Sequence, residues 1–228
     1  MNFDRNKVIY RQVKQKDLSI NTVCEVGVYL PETSNIIDFI VDGVKTILVE
    51  PNPPAIQAIN KYFKNYNNIT LHEVAIYDRE GKLNLSNAEA STFVSELPAS
   101  PALVNDKYTT DESKEVEVKC VKFSSIDDGD IDLLSIDTEG SEWYVLEFMK
   151  SRPKVISVET HGKFYVNPFI EKINDWVETN GYTIWYKDMS DTVYIRKDIA
   201  QLNLGEKLSL SYMNFRIKLR RAKKVFYK

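Results

Sequence analysis

Short, wholly apolar runs alternate along this chain with stretches whose apolar residues recur at helical spacing. Thr22–Val26, Thr46–Val49, Ile69–Ile76, Ile131–Ile136 and Val155–Val158 read as strands buried on both faces, because their hydrophobic residues run on without alternation. Between them, Thr33–Val41 places Ile36, Ile37 and Ile40 on one helical face, and 54–63 does the same with Ile56, Ile59 and Phe63. Pro53 and Pro54 suit the entrance of that second helix. Further helices are expected over Ser141–Phe148 and Phe169–Val177, with Gly181 as a stop. Strand and helix in this alternation predict βαβ units and a mostly parallel sheet. Tyr182–Tyr186 and Thr192–Ile195 predict an antiparallel pair at its edge.

The middle of the chain breaks the rhythm. Gly81–Leu85 and Glu115–Phe123 read as strands, but 86–113 is polar, carries Pro98 and Pro101 and shows no period. A stretch of that length inside a domain predicts a lid or binding loop.

Composition narrows the class. The 228 residues hold 43% hydrophobic and 28% charged residues, with a formal charge of -3, as an ordinary globular protein does. One domain over 21–200 is expected, with an N-terminal extension over 1–20 and a tail over 201–228. The two cysteines, Cys24 and Cys120, make no disulfide framework and suit a reducing compartment. The polar start lacks a secretion signal and no apolar run spans a bilayer, so the expected location is cytoplasmic.

Ligands of open parallel sheets sit beyond the carboxyl ends of the strands. Glu25 and Gly27 close the first strand, Glu50 the second, Ala75 and Ile76 the third, Asp137 the strand at 131–136 and Glu159 the next. An acid at the end of the second strand, beyond a glycine turn on the first, accepts the two hydroxyls of a ribose. Glu50 therefore points to an adenosine-containing cofactor, or else serves as an acidic charge at the start of the following helix. The first turn has Gly27 alone, which disfavours a pyrophosphate cofactor; S-adenosylmethionine, which has no phosphate, needs less close approach. No Walker loop and no zinc-type cluster occurs.

In LLSIDTEGSEW, Asp137, Glu139 and Glu142 fall within six residues of one another. Such a gathering calls for a metal, a cationic ligand or acid–base work, although Glu142 also suits helix capping. His161, two residues beyond Glu159, is a candidate general base; His72 sits within a strand.

Together, VCEVGVYLPET, LVEPNP, EVAIYDREGKLNL, ASTF, IDLLSIDTEGSEWYVL and VISVETH resemble the FkbM family of S-adenosylmethionine-dependent methyltransferases, over about Val23 to Tyr194. The resemblance implies a Rossmann-like class I methyltransferase fold, mostly parallel with an antiparallel edge, and methyl transfer to oxygen, typically of a sugar in a glycan or glycolipid. It places Glu25, Gly27 and Thr33 at the methionine end of the cofactor, Glu50 on the ribose, Pro51 and Asn52 beside the adenosine and Ala75 and Ile76 against adenine. Asp137 faces the methyl donor, with Glu139, Glu159 and His161 near the acceptor. The chain departs from the family where Leu30 or Pro31 replaces a further glycine, and where Ser135 replaces a frequent lysine.

Either His161 or Asp137 is expected to take the acceptor's proton. Alternatively Asp137 and Glu159, ending adjacent strands, hold a divalent cation such as magnesium or manganese. Other readings are a methyltransferase for RNA or a non-sugar small molecule, and an inactive scaffold in glycan assembly.

Residues 206–228 carry eight Lys/Arg and one acid, with Leu208, Tyr212, Phe215, Leu219 and Phe226 at helical spacing. This predicts a basic amphipathic C-terminal helix. It suits an anionic membrane surface, and with it a lipid-linked acceptor, or packing on its own domain or a partner; nucleic acid is the weaker alternative.

Overall fold

Thr22–Val26 (β1) is buried at all five positions because both faces of the sheet are covered. In the computed structural model, which describes residues 7–88, 91–97, 99–105, 108–109, 113 and 115–226, β1 lies at the centre of a seven-stranded sheet. Lys45–Val49 (β2) and Ile69–His72 (β3) follow on one side of it. Leu133–Ile136 (β8) and Val155–Glu159 (β9) follow on the other, all parallel. Asp191–Arg196 (β11) pairs antiparallel with β9, and Tyr182–Lys187 (β10) pairs antiparallel with β11. The order β3-β2-β1-β8-β9-β11-β10 is Rossmann-like, with its switch point between β1 and β8.

Alternation along β1 divides the core. Cys24 and Val26 face one layer with Leu134, Ile136 and Ile156, covered by Glu142–Glu147 (α5) and Ile170–Thr179 (α6). Val23 faces the other with Leu48, Leu133 and Val155. That layer is closed by Ile37–Val41 (α2), Pro53–Tyr62 (α3) and Val8–Gln15 (α1), whose Ile9 and Val13 are buried. Leu204–Phe226 (α7) runs along β10.

Three expected elements differ. The run Ile69–Ile76 is two strands: after β3 the chain leaves the main sheet, and Ala75–Ile76 (β4) pairs with Cys120 and Val121 of Glu115–Val121 (β7) in a second, four-stranded sheet. A continuous apolar run carries no mark of that change of partner. The helix expected from Thr33 starts only at Ile37, since Ser34 is held extended and tied to Glu25. The stretch 86–113 is not wholly irregular. Gly81–Ala88 (β5) pairs with Ser91–Val94 (β6), and Pro101–Asn105 (α4) follows. Pro98 and several neighbours lie outside the described residues.

Candidate active site

The tips of β1 and β8 meet at one glycine. Gly27 has φ +84°, and a Cβ on it would stand 1.8 Å from the Asp137 carbonyl oxygen. Around it the Gly27 N–H donates to the Val49 carbonyl and the Asp137 N–H to the Val26 carbonyl, both at 2.9 Å. Three strand ends are thus locked together and the following loop turns outward.

Glu50 holds that loop. Its Oε2 accepts the N–H groups of Val28 (2.9 Å) and Tyr29 (2.8 Å), and its Oε1 accepts that of Asn52 (2.9 Å). Burial outweighs these bonds and pushes its carboxyl up from the ordinary range. A carboxylate offers about four lone-pair sites, so three backbone donors leave capacity for a ligand hydroxyl.

A cavity of about 180 Å³ opens beyond these ends. Val74, Ala75, Ile76 and Phe93 make an apolar end; Gly27, Thr33, Asp137 and Glu139 make a polar one; Glu50 and Pro51 stand on the wall too. Among the described residues that line it there is no lysine, arginine or histidine. Tyr29 and Phe93 had no role assigned from sequence. Both lie within motifs that carry the family resemblance, VCEVGVYLPET and ASTF, but neither carries a charge or polar group that points to a ligand from sequence.

The sequence-expected residues divide. Gly27, Thr33, Glu50, Pro51, Ala75, Ile76, Asp137 and Glu139 line the cavity; Glu25, Asn52, Glu159 and His161 do not. Glu25 lies on the face of β1 that α2 covers, where its carboxylate accepts the Ser34 hydroxyl and the Asn35 N–H. Burial raises it to about 7. Its place is beneath the loop rather than against a ligand. Asn52 is likewise buried; its Nδ2 donates to the Thr92 hydroxyl.

His161 is buried, with both ring nitrogens engaged. Nε2 meets the Asp188 carbonyl (3.3 Å), which can only accept, so Nε2 carries the proton. Nδ1 then accepts from the Thr160 hydroxyl (2.9 Å), itself bonded to Thr192. Burial, with Lys187 and Arg221 nearby, lowers the imidazole to about 4, so near neutral pH it is uncharged and its lone pair is spent. This arrangement removes the reason for expecting His161 to act as the base.

Asp137, Glu142 and Glu159 each bring a carboxylate oxygen within 4.8 Å of the others. Glu142 stands in the first turn of α5, as expected, but its carboxylate holds the turn ahead of that helix rather than capping it: Oε1 accepts the N–H groups of Thr138 and Gly140, both at 3.0 Å, and Oε2 accepts the Asn167 amide. Glu159 is buried with Oε2 lacking a hydrogen-bond partner. Burial first, then repulsion from neighbouring carboxylates (Asp191 and Glu139 foremost for Asp137, Asp137 and Glu142 for Glu159), raises both well above ordinary carboxyls. Asn167 and Tyr165, which complete this region, gave no sequence signal because they follow an irregular stretch.

A family described as the methyltransferase FkbM domain matches residues 25–184. Among solved structures, the chain is similar to a candidate caffeoyl-CoA O-methyltransferase from Staphylococcus aureus, at 14% identity over 83% of this chain and 81% of that one, with a TM-score of 0.49. It is also similar to a ribosomal protein L11 methylase from Lactobacillus delbrueckii subsp. bulgaricus, at 10% over 86% and 80%, TM-score 0.46. A SAM dependent methyltransferase from Aquifex aeolicus gives 12% over 85% and 89%, TM-score 0.44. No curated protein matches the chain.

Proposed function

The chain belongs to the methyltransferase FkbM domain family and is an S-adenosylmethionine-dependent methyltransferase; from that premise we propose that it methylates a hydroxyl oxygen of a sugar in a glycan, glycolipid or related metabolite. The observation that carries this reading is the polar end of the cavity, where Asp137 and Glu139 stand without any lysine, arginine or histidine among the described lining residues. Carboxyl oxygens accept hydrogen bonds, and sugar hydroxyls donate them. An RNA acceptor calls instead for cations on the wall.

The cavity suits the cofactor. Its apolar end fits adenine, Glu50 stands where a ribose needs acceptors, and its acidic end complements a positive sulfonium. S-adenosylmethionine supplies a methyl group activated for in-line displacement. Val74, Ala75 and Ile76 would hold adenine, Glu50 would accept the ribose hydroxyls, and the Gly27 turn and Thr33 would border the methionine end. Asp137 accepts the hydroxyl proton as the oxygen attacks, and its raised proton affinity makes it a better base than an ordinary carboxylate. Glu139 orients further hydroxyls. Glu159 and His161 act from behind the wall as positioning residues. Most of the rate gain is alignment of acceptor oxygen and methyl carbon.

A divalent cation is the second reading, favoured by the meeting of Asp137, Glu142 and Glu159 within 4.8 Å. Magnesium or manganese there would orient acceptor hydroxyls. Because Glu142 is already satisfied by three protein donors, we expect activity to survive exhaustive EDTA treatment. Loss restored by magnesium or manganese would assign the cluster to an ion.

The proposal is tested by offering labelled S-adenosylmethionine with free oligosaccharides, glycolipids, RNA and small phenols. We expect label in the glycan or glycolipid as an alkali-stable methyl ether. Label confined to RNA or phenol would overturn the sugar reading.

A further inference from the structure

Helix α7 has two apolar faces, and only one of them is used. The inner face is held to the domain: Ile217 is buried, Glu206 pairs with Lys16 (3.0 Å) and accepts from the Trp185 indole (2.7 Å), and Arg220 donates to the carbonyls of Gly162 (2.8 Å) and Met189 (3.2 Å). The opposite face carries Leu204, Leu208, Tyr212, Phe215 and Leu219, all exposed; Leu208 is 63% and Phe215 58% accessible. At about 100° per residue these five lie within roughly 80° of arc, and they extend over about 22 Å of helix.

Cations border this stripe. Arg216 lies on one flank and Lys207 and Lys218 on the other, all three exposed, while the helix's acid, Glu206, is spent inward. Exposed Met189, in the turn between β10 and β11, stands beside the helix near Met213 and Leu219.

We propose that this outer face of α7 docks the protein on an anionic lipid surface. Aliphatic and aromatic side chains enter the interface while Lys207, Arg216 and Lys218 meet acidic headgroups on either side. A second copy of the helix would bring like charges together along both flanks, so charge complementarity favours the lipid. Among the described residues no helix is long and apolar enough to cross a membrane, so α7 lies on the surface. Docking stands on the helix itself and not on the sugar reading. On the inner face Arg220 joins the helix to the segment just after β9, so docking by the outer face keeps the whole domain on one side of the helix.

Sedimentation of the full chain with vesicles tests this, comparing phosphatidylcholine alone with phosphatidylcholine and phosphatidylserine at about 7:3. We expect binding to the anionic vesicles only, weakened by salt. It should fall by about tenfold or more in Leu208→Ser/Phe215→Ser/Leu219→Ser, and equally in Lys207→Glu/Arg216→Glu/Lys218→Glu. These positions are exposed, so circular dichroism and the melting temperature should hold in both variants. No binding by the unaltered chain, or undiminished binding by both variants, overturns the proposal. So does a concentration-dependent dimer without vesicles that the serine variant abolishes, which would give the face to a second copy.

Discussion

Gly27→Ala destabilises the protein by about 3 kcal/mol or more and abolishes cofactor binding, whereas Gly43→Ala costs only about 1 kcal/mol. Both glycines have positive φ, +84° and +79°, so both substitutions strain the backbone. Only Gly27 is closely approached. Its added methyl would sit 1.8 Å from the Asp137 carbonyl oxygen, while nothing lies within 4 Å at Gly43. Backbone cannot rotate away as a side chain can. Relief requires β1 and β8 to separate at their tips, which breaks the bond from Asp137 N–H to Val26 and strains the one that Gly27 N–H makes to Val49 of β2. Those bonds hold the loop whose next residues Glu50 clamps. Thermal denaturation should show a drop of roughly 6–12 °C for Gly27→Ala and a few degrees for Gly43→Ala. Equal, small shifts would show that the approach is looser than the geometry states.

Asp137→Asn lowers kcat by about 10² to 10⁴ while leaving S-adenosylmethionine affinity within a few-fold. The amide keeps the shape of the side chain and removes its capacity to take a proton. The fold should not suffer. Burial first, then repulsion from Asp191, Glu139, Glu142 and Glu25, disfavours the ionised form of Asp137, so a neutral amide of the same shape meets no such penalty and the melting temperature should hold or rise. Asp137 must be ionised to act, and its carboxyl titrates well above the ordinary range, so activity should fall on the acid side of the pH profile at a pH well above that of a free aspartate. An Asp137→Asn enzyme with unchanged kcat would return the proton transfer to another group. His161 would need its lone pair released from Thr160 to qualify.

How much of this was legible depended on whether a residue's neighbours were local. β1, β2, β8 and β9 could be read because strands buried on both faces are continuous apolar runs, and their acidic or glycine ends mark the side on which the cavity opens. Gly27, Glu50 and Asp137 followed from that logic. The departure of Ala75 and Ile76 into a second sheet was hidden, since their partners Cys120 and Val121 lie more than forty residues away. The β5–β6 hairpin was hidden by its polar outer positions. Glu25 and His161 were misplaced for a single reason. A strand-end position says how near a residue lies to the ligand, but the direction of its side chain depends on which face of the sheet it occupies. Glu25 turns under α2 to Ser34 and Asn35. His161 is consumed by Thr160 and Asp188.

The central claim is that the cavity between Gly27, Glu50 and Asp137 is the S-adenosylmethionine site, with Glu50 on the ribose. Isothermal titration of the cofactor into the full chain and into Glu50→Ala tests it most directly. Saturable binding at one site per chain is expected for the unaltered protein, weakened about 10- to 100-fold in the variant through loss of charge-assisted hydrogen bonds. No binding by the unaltered protein, or equal binding by a folded Glu50→Ala, would contradict the account.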